Sequence, residues 1–228
     1  MIGVDENLRL FVRERLDLCA LLAGLSAEEW QAATLDAGWT VEDLAAHIVV
    51  RERHLLANLR ALLFRGRAGL GPEALLAREK ARGHAALLSA LRTMPPLFFR
   101  LPGPVARGNL AEAYIHHEDI RRGALRRPRQ LPADLQQALW AALPLLGRRG
   151  LRQVPVAGRL TIEWPDRERR VVAVGRGRHQ VGVSAMATLS GEPGELLLWL
   201  TGRKAAAQVE LDGAVDLVAA LRDAPMTL

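Results

Sequence analysis

Apolar residues recur at three- and four-residue intervals through the first half of the chain and at two-residue intervals through much of the second, and this change of period divides it. Between Asp5 and Leu25 the positions Leu8, Phe11, Val12, Leu16, Leu18, Cys19 and Leu22 predict a first helix, with a short helical turn from Ser26 to Trp30 after it. Thr40 is the predicted cap of a second helix from about Val41 to Leu63, with Glu42 and Asp43 favourably placed in its first turn. Pro72 suits the first turn of a third, carried from Ala74 to Leu91 and stopped by Pro95 and Pro96. Asn109 is the expected cap of a fourth helix, which continues to Arg122 and ends at Gly123. A fifth covers about Ala133 to Leu146.

Beyond Gly150 the pattern alternates and β-branched residues accumulate, predicting strands near Leu160 to Trp164, Val171 to Val174 and Val181 to Met186. A helical segment from Glu192 to Leu200, a strand from Ala206 to Leu211 and a closing amphipathic helix from Ala214 to Arg222 complete the reading. The expected class is therefore α+β: an N-terminal helical bundle over 1–150 and a small α+β domain over 151–228.

Length and composition fit this division, since 228 residues of which half are apolar can bury a substantial core. Charges interrupt the first twenty residues, and no apolar stretch nears the ~20 residues of a membrane span. A cytoplasmic protein without membrane contact is the expectation. The net charge of +6 rests almost wholly on arginine, Lys80 and Lys204 being the only lysines, and it is spread along the chain among acids. With so few aromatics to interleave, that distribution predicts no nucleic-acid partner. Two arginine concentrations, one at Arg121, Arg122, Arg126, Arg127 and Arg129 and one at Arg148, Arg149 and Arg152, are candidates to attract an anionic substrate. The single cysteine, Cys19, occupies an apolar position and is expected in the core. The five tryptophans are read as packing residues.

Glu112 and His116 stand four apart on a predicted helix and so leave the same face about one turn apart, a separation suited to one metal ion. His117 is rotated by roughly 100° from that face. A third ligand must then come from a facing helix, where His47 lies between small and apolar residues. Two nitrogens and one oxygen form a zinc-like set with a fourth position open. On spacing alone, a Glu and a His at this interval are more often a surface pair, and a lone helical histidine is more often a hydrogen-bonded core residue.

The segment Gly38-Trp-Thr-Val-Glu-Asp-Leu-Ala-Ala-His47 resembles the first metal motif of the mycothiol-dependent maleylpyruvate isomerase family, within the DinB-like metal-binding superfamily. Glu112-Ala-Tyr-Ile-His-His-Glu-Asp-Ile-Arg-Arg122 is similar to that family's second motif, in the actinobacterial branch where His-Glu-Asp precedes arginines. Gly194 to Arg203 and Val209 to Gly213 resemble its C-terminal domain. The resemblance implies a DinB-like four-helix bundle, metal ligands at His47, Glu112 and His116, and a thiol cofactor, mycothiol or a related small thiol. A shift of helix phase would offer His117 in place of His116.

The function so implied is metal- and thiol-dependent isomerisation or transfer on a small, anionic, electrophilic substrate, with zinc as the first choice of ion and nickel the second. A metal-assisted hydrolase and a non-catalytic binding or regulatory module are the alternatives. His54, seven residues after His47, and Arg203, in the Thr-Gly-Arg turn, are the candidate catalytic residues. Asp119 is placed to orient a ligand histidine or an arginine, and Glu118 with Arg122 to form a surface ion pair.

Overall fold

The computed structural model describes residues 5–53, 71–146, 148–175 and 185–226. The chain divides into two compact units, Met1–Arg129 and Gln130–Leu228, and is α+β, as expected.

In the first unit, α1 (Glu6–Ala23) begins at Asp5, whose carboxylate accepts hydrogen bonds from the backbone N–H groups of Asn7 and Leu8. The same carboxylate accepts a third from Gly103 N–H at 2.7 Å, so the start of α1 is tied to the start of a distant helix. A short α2 (Ala27–Trp30) is held by a complete capping box between Ser26 and Glu29. The predicted cap of α3 (Val41–Arg53) forms: Thr40 Oγ1 accepts from Asp43 N–H, while the Asp43 carboxylate accepts from Thr40 N–H at 3.0 Å and from its hydroxyl at 2.7 Å. The remainder of the expected second helix, and His54 with it, lies outside the described residues.

The expected third helix is two helices, α4 (Pro72–Lys80) and α5 (His84–Arg92), because Gly83 turns the chain with φ +80° between them. A 3₁₀ turn at Leu97–Arg100 leads to α6 (Pro104–Glu118), which has proline at its start. Asn109 is therefore not a cap. It sits inside α6, buried, and donates from Nδ2 to the carbonyl of Phe99 at 3.0 Å. After Glu118 the helix widens to a π-turn, Asp119–Ala124, and Gly123 falls within it rather than after it. Leu18, Cys19, Leu22, Val41, Leu44 and Leu87 lie in the core of this unit, each fully buried leucine contributing about 1.5–3 kcal/mol. A buried bidentate pair, Arg15 to Glu52 at 3.0 and 2.8 Å, joins α1 to α3.

The second unit opens with α7 (Ala133–Leu146), so this helix, expected to end the bundle, packs instead with the C-terminal elements, and the division falls before it rather than near 150. A short α8 (Arg148–Gln153) precedes β1 (Gly158–Trp164) and β2 (Glu168–Val174), followed by β3 (Met186–Ser190), α9 (Pro193–Leu200), β4 (Glu210–Gly213) and α10 (Val215–Asp223). The strand order is β2-β1-β3-β4, with β1 and β3 parallel and the outer pairings antiparallel. In β1 the alternation puts Leu160, Ile162 and Trp164 inside. Much of the expected strand over 181–186 lies outside the described residues, and β3 begins where it ends. Gln136 on α7 accepts from the backbone N–H of Gly194 at the start of α9, fixing the two helices. Trp140 donates to Glu168 and lies under the Arg170 guanidinium, which satisfies a tryptophan that packs between α7 and the sheet.

Among the described residues no helix is long and apolar enough to cross a membrane.

Candidate metal centre

Three segments meet around His116. The turn from Thr34 to Trp39 is closed by Thr34 N–H bonding to the Trp39 carbonyl, and Gly38, at φ +85°, supplies the left-handed residue that aims Trp39 at the next helix. The Trp39 ring meets His47 edge-on at 4.9 Å between centroids, so the first motif folds back on its own histidine. His47 in turn faces His116 across the α3–α6 contact, with ring centroids 5.4 Å apart. On α6 the four-residue spacing does what helix geometry requires: Glu112 Oε2 lies 3.4 Å from His116 Nε2.

The π-turn completes the arrangement. Its first residue, Asp119, is fully buried and holds His116 Nδ1 at 3.2 Å, the orienting role expected for it. Its carbonyl accepts from Leu35 N–H, pinning the Trp39 turn to the end of α6. This close approach requires glycine at 123, where a Cβ would stand 2.5 Å from the Leu35 nitrogen.

Both nitrogens of His117 are occupied. Nδ1 meets Glu14 at 2.7 Å and Nε2 accepts from Arg121 Nε at 3.0 Å, which fixes the neutral tautomer with its proton on Nδ1. Arg129 binds both Glu14 and Glu118, and Arg122 binds Glu118 at 2.7 Å. Glu118 is fully buried, so its pairing with Arg122 is an interior one rather than the surface pair expected. Arg121, Arg122 and Arg129 are committed to this network, which leaves Arg126 and Arg127 as the exposed members of that cluster.

His116 is different. Its Nε2 is buried without a well-formed hydrogen bond: Glu112 Oε2 stands 3.4 Å away, within reach but poorly aligned. Burial disfavours an imidazolium there, yet Asp119 and Glu112 outweigh it and raise the His116 pKa. Burial likewise opposes ionisation of Glu112, but His116, Arg51 and His47 together hold its carboxyl below the usual range. His47 is pushed down to about 4, first by burial and then by the positive character of His116. His47 is thus neutral near neutral pH, with its lone pair available.

A second trio shares His116: the donor atoms of Asp36, His116 and Asp119 lie within 4.8 Å of one another, closer than the His47 set. Sequence gave no sign of Asp36, which approaches only because its turn docks on α6. An ion held there through Nδ1 would displace the Asp119 hydrogen bond and leave Nε2 orphaned; an ion on Nε2 keeps the first and satisfies the second. Two imidazoles and a carboxylate, from His47, His116 and Glu112, are a donor set that would also suit a divalent ion of the zinc type.

Of the other candidates, Arg203 lies in the second unit, in the turn after α9, and donates from Nη1 to the Thr201 carbonyl at 2.8 Å. Cys19 is buried in the core, and burial pushes its thiol pKa up.

Residues 11–121 match the family model of the mycothiol maleylpyruvate isomerase N-terminal domain. The structure is similar to a crystal structure of the mycothiol-dependent maleylpyruvate isomerase, with a TM-score of 0.54 and 17% identity over 94% of this chain and 95% of that one. A histidine-to-alanine mutant described under the same name gives 0.50 and 19% over 92% and 93%. At these identities the likeness is one of fold. No curated protein matches the chain in sequence. Residues 11–121, which carry both motifs, thus form a domain of the mycothiol maleylpyruvate isomerase N-terminal type.

Proposed function

We propose that the chain is a metal- and thiol-dependent enzyme that isomerises or transfers a group on a small, anionic, electrophilic molecule, with one divalent ion held by His47, Glu112 and His116. The observation that carries this reading is the orphaned Nε2 of His116, turned toward Glu112 while Asp119 holds the opposite nitrogen. A buried imidazole left so is costly unless something occupies that position.

His47 stays neutral and offers a lone pair, Glu112 stays ionised and offers charge, and Asp119 sets the tautomer and angle of His116. Trp39 screens His47 from water on one side. A divalent ion of the zinc or nickel type would supply, at this position, the positive charge that keeps a thiol ionised near neutral pH. The thiol must come from outside the chain, because Cys19 is buried with a raised pKa. The match to a family described as mycothiol-dependent supports mycothiol or a related small thiol in that role. Arg203 and His54 are the further catalytic candidates, Arg203 for the carboxylate-binding fork of its guanidinium.

Elemental analysis of protein never exposed to chelator tests the reading. About one zinc or nickel ion per chain is expected; a clean preparation that neither contains nor takes up either ion refutes it.

A further inference from the structure

Arg51 is four residues after His47 and leaves α3 on the same face, one turn further along. Its guanidinium is gripped on two sides. Nη2 donates to Asn109 Oδ1 at 2.9 Å, and the plane lies over the Phe99 ring with 5.2 Å from Cζ to the centroid. Asn109 is itself buried and locked to the Phe99 carbonyl at 3.0 Å, so both halves of the clamp are anchored to each other. The third side is turned to the candidate metal centre, where Nε stands 3.8 Å from Glu112 Oε2. That distance is a charge contact and not a hydrogen bond. The side chain remains 29% exposed, and Nη1 takes no hydrogen bond among the described residues.

A cation that served only to balance Glu112 would close on it. This one is held back by Asn109 and Phe99, with its side chain partly exposed beside the ligand set. Preorganisation of that kind is what lets a guanidinium take a carboxylate with little loss of freedom. When the charge of Glu112 is drawn onto an ion, the nearest counter-charge of Arg51 is weakened and its capacity for another anion grows.

We infer that Arg51, clamped by Asn109 and Phe99, is the residue that selects an anionic group on the molecule bound at the His47, Glu112 and His116 centre. This rests on the proposed function, since it needs an ion and a thiol ligand there. The ligand class is a thiol or thiol adduct that carries a carboxylate within a few bonds of its sulfur.

The test uses cobalt-substituted full-length protein and two probes of similar size, thioglycolate, which is anionic, and 2-mercaptoethanol, which is neutral. Sulfur ligation is read from the intense sulfur-to-cobalt absorption as each is titrated, at fixed ionic strength. The wild type is expected to bind thioglycolate more tightly than 2-mercaptoethanol. Arg51→Gln should weaken thioglycolate by about tenfold, the scale of one charge-assisted hydrogen bond, and leave 2-mercaptoethanol unchanged. Equal weakening of both probes, or no anionic preference in the wild type, overturns the assignment. If Arg51→Gln loses the cobalt, Asn109→Ala decides: it keeps the charge beside Glu112 but releases the clamp, so a lost anionic preference supports the assignment and a retained one overturns it. Absence of any sulfur band with either thiol in cobalt-loaded wild type is a different failure. It overturns the metal-thiol reading itself, and the role of Arg51 with it.

Discussion

His116 and His117 are neighbours on one turn of α6, both buried and both beside carboxylates, yet their surroundings are opposite in kind. His117 sits in a closed circuit of Glu14, Arg121, Arg129 and Glu118 in which each of its nitrogens has a partner. His116 has one nitrogen held by Asp119 and the other facing Glu112 with no bond made. Burial alone does not distinguish a structural histidine from a binding one. The count of satisfied nitrogens does, because a saturated polar network stabilises its own geometry while an unsaturated one is complete only with something added.

The sharpest way to break this contrast is to remove each imidazole in turn. His116→Ala should reduce bound metal from about one equivalent to none, and His117→Ala should leave it, both read by elemental analysis of variants whose helical circular dichroism is intact. The reverse result would exchange the roles of the two faces. Next in size is the circuit itself. Glu14→Gln leaves Arg129 and His117 short of a buried partner and should cost about 3–5 kcal/mol in denaturant unfolding, with the metal content unchanged.

That circuit also sets a direction with pH. Burial opposes the charge on Glu14, but hydrogen bonds from His117 and Arg129 outweigh it and hold its pKa below the ordinary 4.5. Burial, against the pull of Glu14, holds His117 below 6.5. For both groups the unfolded chain binds the proton more readily, so their stabilisation is fully present above those ordinary values and is lost as pH falls through the lower folded ones. Thermal melts of the wild type should show a declining acid limb from about pH 6.5 downward, and Glu14→Gln should flatten its lower part.

Smaller effects sharpen the His116 side. Asp119→Asn should weaken metal binding by ~10–100-fold while leaving the ion's stoichiometry at saturation, a change visible in competition with a chelator. Thr40→Ala removes the hydroxyl that caps α3, about two turns before His47 on the same helix. It should cost about 1 kcal/mol of stability and no measurable metal affinity.

The parts of the centre that follow from local rules were legible in the sequence. The cap at Thr40, the common face of Glu112 and His116, the different phase of His117 and the core position of Cys19 each depend on residues within a turn or two. The misreadings came where a local preference met a stronger local rival or a distant partner. Asn109 has a capping side chain, but Pro104 fixes the helix start earlier, and the amide then finds Phe99 and Arg51 inside the fold. The break at Gly83 was hidden within a run of good helix formers. Glu118 and Arg122 have the spacing of a surface pair, and only the packing of α1 against α6 makes them interior. Asp36 could not be found from spacing, since it owes its place to a contact between segments far apart in the chain; Arg51 shares the face of His47 by spacing, but its clamp by Asn109 and Phe99 does not follow from it.

The buried state of Cys19 has a practical consequence for the chemistry of the whole protein. As the single cysteine of the chain, shielded by the core and biased toward its protonated form, it is a poor target for alkylating reagents near neutral pH. Iodoacetamide or a maleimide added to the folded protein should therefore leave its mass unchanged, and any sulfur consumed or labelled in a reaction mixture belongs to the added small thiol. The chain thus supplies its own blank for thiol measurements: sulfur reactivity that appears only on unfolding is that of Cys19, and reactivity seen before unfolding comes from whatever thiol was added.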